Sequence, residues 1–356
     1  MRRIAWAAIA FSAGCAARPG DAFTRAKNAG DRAYSAGRYG EAAGAYGDAH
    51  DNADRPRDRS EARYLEAAAF RRERDFAKAR AAYAALVAEA PASERGRRAR
   101  FDLADLEVEA GNAALGHDLL REALLEFPNE GLAHRSLERY IRHLDAGGHD
   151  ALGFLRGITP RFAATELDET VRYQIAVRLE AASRWAEARD AFAACADLHP
   201  YPRGNLFDDA LWHASLLDEK LGQPSKAIER LRGLLSVREP STMTGSYERP
   251  RFSAAQFRIA ELYRDKLGDR PSARREFHRL YAEHTTSILR DDALWQEAKL
   301  AREDGDAKNA CALATTLAKE FPASRFTACA PAICPTAPPT TNNCHAYVVR
   351  SPTRGD

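Results

Sequence analysis

Apolar positions in this chain recur at steps of three and four residues, the spacing of one face of a helix, and paired segments of this kind recur as a larger block. Aligned on a small residue in the second segment of each pair, Ala42, Ala79, Gly116, Ala188, Ala227, Ala273 and Ala310 fall in register at spacings of 37, 37, 72, 39, 46 and 37 residues. Five residues before the anchor stands Gly37, Gly111, Gly222, Gly268 or Gly305, with Arg74 and Ser183 as exceptions. Glycine there can end a helix in the left-handed conformation. Four residues after the anchor comes Tyr46, Tyr83, Leu120, Phe192, Leu231 or Phe277, with Ala314 the small member. Proline closes four of the blocks, at Pro91, Pro128, Pro200 and Pro322.

The pattern predicts helix hairpins that meet where the side chain is small. Each hairpin has an apolar face that the next one covers. The expected fold is all-α, a right-handed solenoid of about seven to eight antiparallel hairpins over residues 24–326. The 72-residue spacing hides a degenerate repeat at 131–160, with one helix over Leu132 to Leu144, a turn at Gly147-Gly148 and a short second helix ending near Arg156. Residues 236–252 (SVREPSTMTGSYERPRF) read as a loop insertion, and residues 327–356 as an irregular tail rich in Cys and Pro, too poor in apolar residues for another hairpin.

Segments such as YSAGRYGEAAGAYGDA (34–49) and RWAEARDAFAACADLHP (184–200) resemble the tetratricopeptide repeat. That resemblance implies a superhelix whose first helices line a concave face. Position five of the first helix, fifteen residues before the anchor, holds Tyr64, Phe101, Tyr173, Trp212 and Trp295, with Arg258 and Lys27 in two other repeats. Aromatic and Arg side chains are favoured at binding hot spots, so these residues are candidates to grip an extended peptide or a partner helix. The same position can instead pack between neighbouring first helices. The phrases YPRGNLFDDALWHA and FPASRF resemble the joints of periplasmic tetratricopeptide lipoproteins, those of β-barrel assembly (BamD-like) and the coordinator of the Tol–Pal system. The function so implied is a non-catalytic adaptor of the bacterial envelope.

The N-terminus reads as an export signal, residues 1–14, with a basic Arg2-Arg3 followed by the apolar run IAWAAIAFSA, too short to span a bilayer. Ser12-Ala13-Gly14-Cys15 resembles a bacterial lipobox, Ser12 standing where Leu is usual; the resemblance implies a lipidated Cys15 as the new N-terminus, a linker over 15–23, and anchorage at the periplasmic face of the outer membrane. Simple secretion to the periplasm with a free Cys15 is the alternative.

Composition refines this picture. Charged residues make up 29% of the chain, and its net charge of +2 disappears once Arg2 and Arg3 are removed, so no global field draws in nucleic acid. Of six cysteines, Cys195 falls at an inward helical position. Cys311, Cys329, Cys334 and Cys344 suggest two disulfides in an oxidising compartment, with three connectivities open. A metal site on Cys329, Cys334, Cys344 and His345 fits zinc spacing poorly. Cys195 and His199, four residues apart, are the nearest approach to a nucleophile pair. The carboxylates look scattered over exposed helix positions. No cofactor, metal or small-molecule substrate is expected and no catalytic motif is present. The other class of function open to this chain is redox or metal chemistry at the C-terminal cysteines.

Overall fold

The computed structural model describes residues 19–238, 249–337 and 343–349, and every helix and turn below lies within them. The export signal and Cys15, and most of the predicted insertion, fall outside these residues.

Helices alternate with tight turns in the order the repeat predicts. They are α1 (Asp21–Ser35), α2 (Tyr39–Asp51), α3 (Pro56–Glu73), α4 (Phe76–Glu89), α5 (Glu94–Glu109), α6 (Ala113–Glu126), α7 (Ala133–Ala146), α8 (Ala151–Phe162), α9 (Asp168–Ala181), α10 (Trp185–Leu198), α11 (Phe207–Lys220), α12 (Pro224–Leu235), α13 (Pro250–Asp265), α14 (Arg270–Glu283), α15 (Arg290–Glu303) and α16 (Ala307–Glu320). No strand occurs among the described residues. Two compact units divide the chain: 1–154 with 160–167, and 155–159 with 168–356. Within each, a hairpin packs on the next in chain order.

The local causes are legible. Proline opens α3 and α12, where a missing N–H costs nothing. Asp75, Asp269 and Asp306 cap α4, α14 and α16 by accepting from the amides of Lys78, Ser272 and Asn309 at 3.0–3.2 Å. Each first helix closes with a left-handed residue. Gly37, Gly111, Gly222, Gly268 and Gly305 do so with φ between 65° and 91°, and so do the exceptions Arg74 (φ 66°) and Ser183 (φ 58°). In seven hairpins, the degenerate one with Gly148 (φ 67°) included, the amide that follows donates five residues back, as Asp75 N to Phe70 O at 3.0 Å, Arg184 N to Leu179 O at 2.9 Å and Asp306 N to Ala301 O at 2.9 Å.

All seven anchors are buried, together with the bulky residue four positions on. Gly116 shows why the anchor is small: a Cβ there would lie 2.6 Å from Val108 Cγ2 and 2.7 Å from the Ala104 carbonyl oxygen on the facing helix.

Four expectations are corrected. The first helix begins at Asp21, inside the predicted linker, because Phe23 is buried beside Ala49, Ala53 and Ala62. The α8 helix runs past Arg156 and through Pro160 to Phe162: Ala151, Leu155, Ile158 and Phe162 form one buried stripe, and that burial outweighs the hydrogen bond to the Arg156 carbonyl that Pro160 cannot make. The α13 helix starts at Pro250, two residues before the predicted end of the insertion. The tail is not wholly irregular. A 3₁₀ turn (Thr327–Cys329) and α17 (Ala330–Ile333) pack on the last hairpin, and α18 (Ala346–Val349) follows. Phe326, Cys329, Ala330, Ile333, Cys334 and Val348 are buried there with Leu294, Trp295, Leu313 and Leu317. Phe326 stacks on Trp295 with ring centroids 5.5 Å apart. The tail thus takes the place of a following first helix and covers the last hairpin, the role of a capping repeat.

Candidate functional site

Residues at position five behave differently from one hairpin to the next. In the N-terminal unit, Lys27 of α1 pairs with Asp31 at 2.9 Å. Tyr64 of α3 is 9% exposed, and its hydroxyl donates to Asp102 Oδ2 of α5 at 2.7 Å, with the guanidinium groups of Arg95 and Arg98 4.7 and 5.6 Å from the ring centroid. Phe101 of α5 is 1% exposed. In the C-terminal unit, Trp295 of α15 is also 1% exposed, because the cap lies over it. Phe101 and Trp295 therefore pack, and they offer no free surface to a partner.

Tyr173, Trp212 and Arg258 are only half-buried, on the consecutive first helices α9, α11 and α13. Tyr173 meets Phe192 edge-on at 5.2 Å, and burial pushes its hydroxyl up to about 12. Trp212 lies 5.2 Å beneath the guanidinium of Arg251, which is held by Asp209 (Nε to Oδ1, 2.7 Å). A cation over an aromatic face is attractive by about 0.5–2 kcal/mol. Arg258 forks onto Glu219 of α11 and reaches Glu261 at 2.7 Å. Beyond it, Arg264 donates to Gln296 Oε1 of α15 at 2.7 Å. A depression of about 500 Å³ opens here, lined by Glu219, Arg258, Glu261, Arg264, Asp292 and Gln296 among others. It is polar, with cations and carboxylates matched.

The ion pairs are the feature that sequence reading missed. Most carboxylates do lie at exposed or half-buried positions, but a few are buried at the joints between hairpins. Glu107 is 1% exposed and Asp218 is fully buried, each facing an arginine from the preceding hairpin. Arg80 Nη2 donates to Glu107 Oε2 at 2.8 Å, and Asn112 adds a second donor at 2.8 Å. Arg189 approaches Asp218 at 3.6 Å, and Arg230 donates to it at 2.7 Å. The hydrogen bond from Arg80 holds the Glu107 carboxyl below its ordinary range. A signal existed: Arg80 and Arg189 both stand one residue after an anchor, and Glu107 and Asp218 both stand nine before the next.

The cysteines resolve into distinct roles. Cys311 is joined to Cys334 and Cys329 to Cys344, tying the cap to α16 and to its own end. With those sulfurs paired, the site on Cys329, Cys334, Cys344 and His345 has no thiolate to offer a metal. No group of three His, Cys, Asp or Glu is arranged to hold a metal ion among the described residues. Cys195 is free and buried, and burial raises its thiol to about 12. Its sulfur points to the Glu169 carbonyl at 3.6 Å, while His199 bonds Asp168 Oδ2 at 3.0 Å. The two do not form a nucleophile–base pair, since a neutral buried thiol is inert. No described helix is long and apolar enough to cross a membrane.

Two hairpins, residues 254–287 and 292–324, match the family model described as tetratricopeptide repeat. They correspond to α13–α14 and α15–α16. No curated protein matches the chain. Among solved structures, the C-terminal part of a TPR repeat-containing protein from Cytophaga hutchinsonii is 13% identical, with 76% of this chain and 99% of that one covered and a TM-score of 0.44. PilF of Pseudomonas aeruginosa is 15% identical over 76% and 96% of the two chains, with a TM-score of 0.31. PilW, described as a widely conserved type IV pilus biogenesis factor, is 17% identical over 74% and 94%, with a TM-score of 0.32.

Proposed function

We propose that this chain is a non-catalytic adaptor that binds an extended segment of another envelope protein along the first helices α9, α11 and α13. The observation that carries the reading is the half-buried row of Tyr173, Trp212 and Arg258 on consecutive first helices. These are residue types favoured at hot spots, and they are set in a rigid frame of paired charges. The frame matters because a site built on helices is already ordered, so binding costs little further side-chain entropy. Mixed, matched charge around the row favours a polar peptide of either sign over a polyanion.

The sequence at the N-terminus supports export and lipid attachment at Cys15, which would hold the adaptor at the periplasmic face of the outer membrane. More than one acyl chain gives a stable anchor at about 0.8 kcal/mol per buried CH₂. A mature N-terminus at Cys15 carrying acyl mass, measured on the protein from envelopes, would establish this. An unmodified mature chain in the soluble periplasm would end it.

Peptide binding is tested by probing an array of overlapping envelope-protein peptides with wild-type chain and with Trp212→Ala. The reading expects a subset of peptides bound by wild type and lost by at least tenfold in the variant, with unchanged helical content and melting temperature. Equal binding by both proteins would overturn it.

A further inference from the structure

One joint of the ladder departs from the rest in a telling way. Halving the 72-residue spacing puts the anchor of the degenerate repeat at Leu152. His117 then stands one residue after its anchor, where Arg80 and Arg189 stand in their hairpins. His143 stands nine before the next, where Glu107 and Asp218 stand. The structure brings these two imidazoles face to face between α6 and α7, with ring centroids 3.4 Å apart and planes 13° from parallel. Where the joints α4–α5 and α10–α11 hold a permanent cation against a carboxylate, this one holds two imidazoles, which carry no charge when neutral and repel when both are protonated.

We propose that the α6–α7 joint of the N-terminal unit is a proton-sensitive joint, closed by the stacked neutral pair His117–His143 and loosened when the pair takes up protons. Two imidazolium rings at this separation repel strongly in a half-buried site. The surroundings give little compensation. On α6, Asp118 favours the proton on His117, yet it ranks last among the influences on that ring, behind burial, His143 and the Ala113 carbonyl. Arg121 of α6 faces Tyr140. On α7, Tyr140 lies 6.2 Å from the His143 ring and adds no charge; Arg142 and Asp145 are exposed. In the turn, His149 stands 6.1 Å from His143, a third group of the same kind, while Asp150 is engaged by the Gly153 amide at 2.7 Å. From α5, Val108 is the residue against Gly116. Burial and the neighbouring ring both hold His117 below its ordinary value. An opened joint, with imidazoles free to titrate near 6.5, binds protons more readily than the closed one. Opening is therefore favoured as pH falls below about 6.5.

The test is hydrogen exchange on the full chain at pH 7.5 and pH 5.0, corrected for the intrinsic rate. Protection of the α6 and α7 amides should fall several-fold at the lower pH, because the opened joint takes up protons that the closed joint disfavours. The α4–α5 joint, with its Arg80–Glu107 pair and no histidine on either helix, should not change. The variant H117R/H143E, which restores the ladder chemistry, should abolish the selective loss. If that variant does not fold, His117→Phe serves, because one imidazole against an uncharged ring cannot build the repulsion. Uniform protection at both pH values in wild type, or the same selective loss in the variant, overturns the proposal. So does a His117 ring titration at or above 6.5 by NMR.

Discussion

At the scale of single residues, the stability of this chain rests on small side chains and on charges hidden beside them. Ala188 is fully buried where α10 packs, and a larger residue has no space to enter. Ala188→Leu should destabilise by about 1–3 kcal/mol, the usual cost of overpacking, read as a lower urea midpoint at unchanged slope. Glu107 makes the complementary point. Its carboxyl is buried and held ionised by Arg80 and Asn112. Arg80→Met would leave that charge with a single neutral donor, and a loss of about 1–3 kcal/mol follows, since Arg80 itself is partly exposed and screened. The pH dependence has a definite sign. A carboxyl held below its unfolded value contributes stability above about pH 4.3 and loses it as pH falls through the folded value. Wild type should show this acid-side loss, and Arg80→Met should show less of it.

Helices and their turns are the scale at which the sequence was most informative. The anchors, the bulky residue four positions later and the closing prolines each answer to one steric demand, so a single chain displays them. The glycines before the anchors are equally legible, because five of them occupy left-handed backbone. Arg74 and Ser183 adopt the same conformation without being glycine: the hairpin imposes it, and the local residue bears a cost of about 1 kcal/mol. Ser183→Gly should therefore raise the melting temperature, by an amount equivalent to at most about 1 kcal/mol once the extra freedom of glycine in the unfolded chain is subtracted. No change or a decrease would show that the turn holds no such strain. The long run of α8 was not legible, because Pro160 signals an end while the buried stripe through Phe162 outweighs it. The division of position five was equally hidden. Phe101 and Trp295 differ from Trp212 only in what the neighbouring element places over them, which no local pattern records. Charge pairing between hairpins lay beyond reach for a related reason: each arginine and its carboxylate are 27–29 residues apart in the chain (Arg80 to Glu107, Arg189 to Asp218), and only the register of the repeat brings them together.

The molecule as a whole faces the problem of every stacked array, an apolar face with no successor to cover it. Here the C-terminal tail supplies the cover, and two crossed disulfides hold it: Cys311–Cys334 spans 23 residues and Cys329–Cys344 spans 15. So short a segment has little regular structure of its own to hold it in place. Its helices are the four-residue α17 and α18, and isolated turns of that length are unstable in water. Cross-links that close loops of about this size contribute roughly 3 kcal/mol by restricting the open chain. The cap should therefore depend on its sulfurs while the hairpins beneath it do not. In the variant Cys334→Ser/Cys344→Ser, hydrogen exchange should speed up in α17 and along the face of α15 that carries Trp295, and protection in α9 and α10 should stay as in wild type. Addition of a dithiol reductant to wild type should reproduce that pattern. If the reduced chain keeps full protection in α15, the apolar contacts of Phe326 and Ile333 with the last hairpin suffice by themselves, and the disulfides are dispensable to the cap. If α9 and α10 also open, the cap stabilises the C-terminal unit cooperatively rather than only its last face.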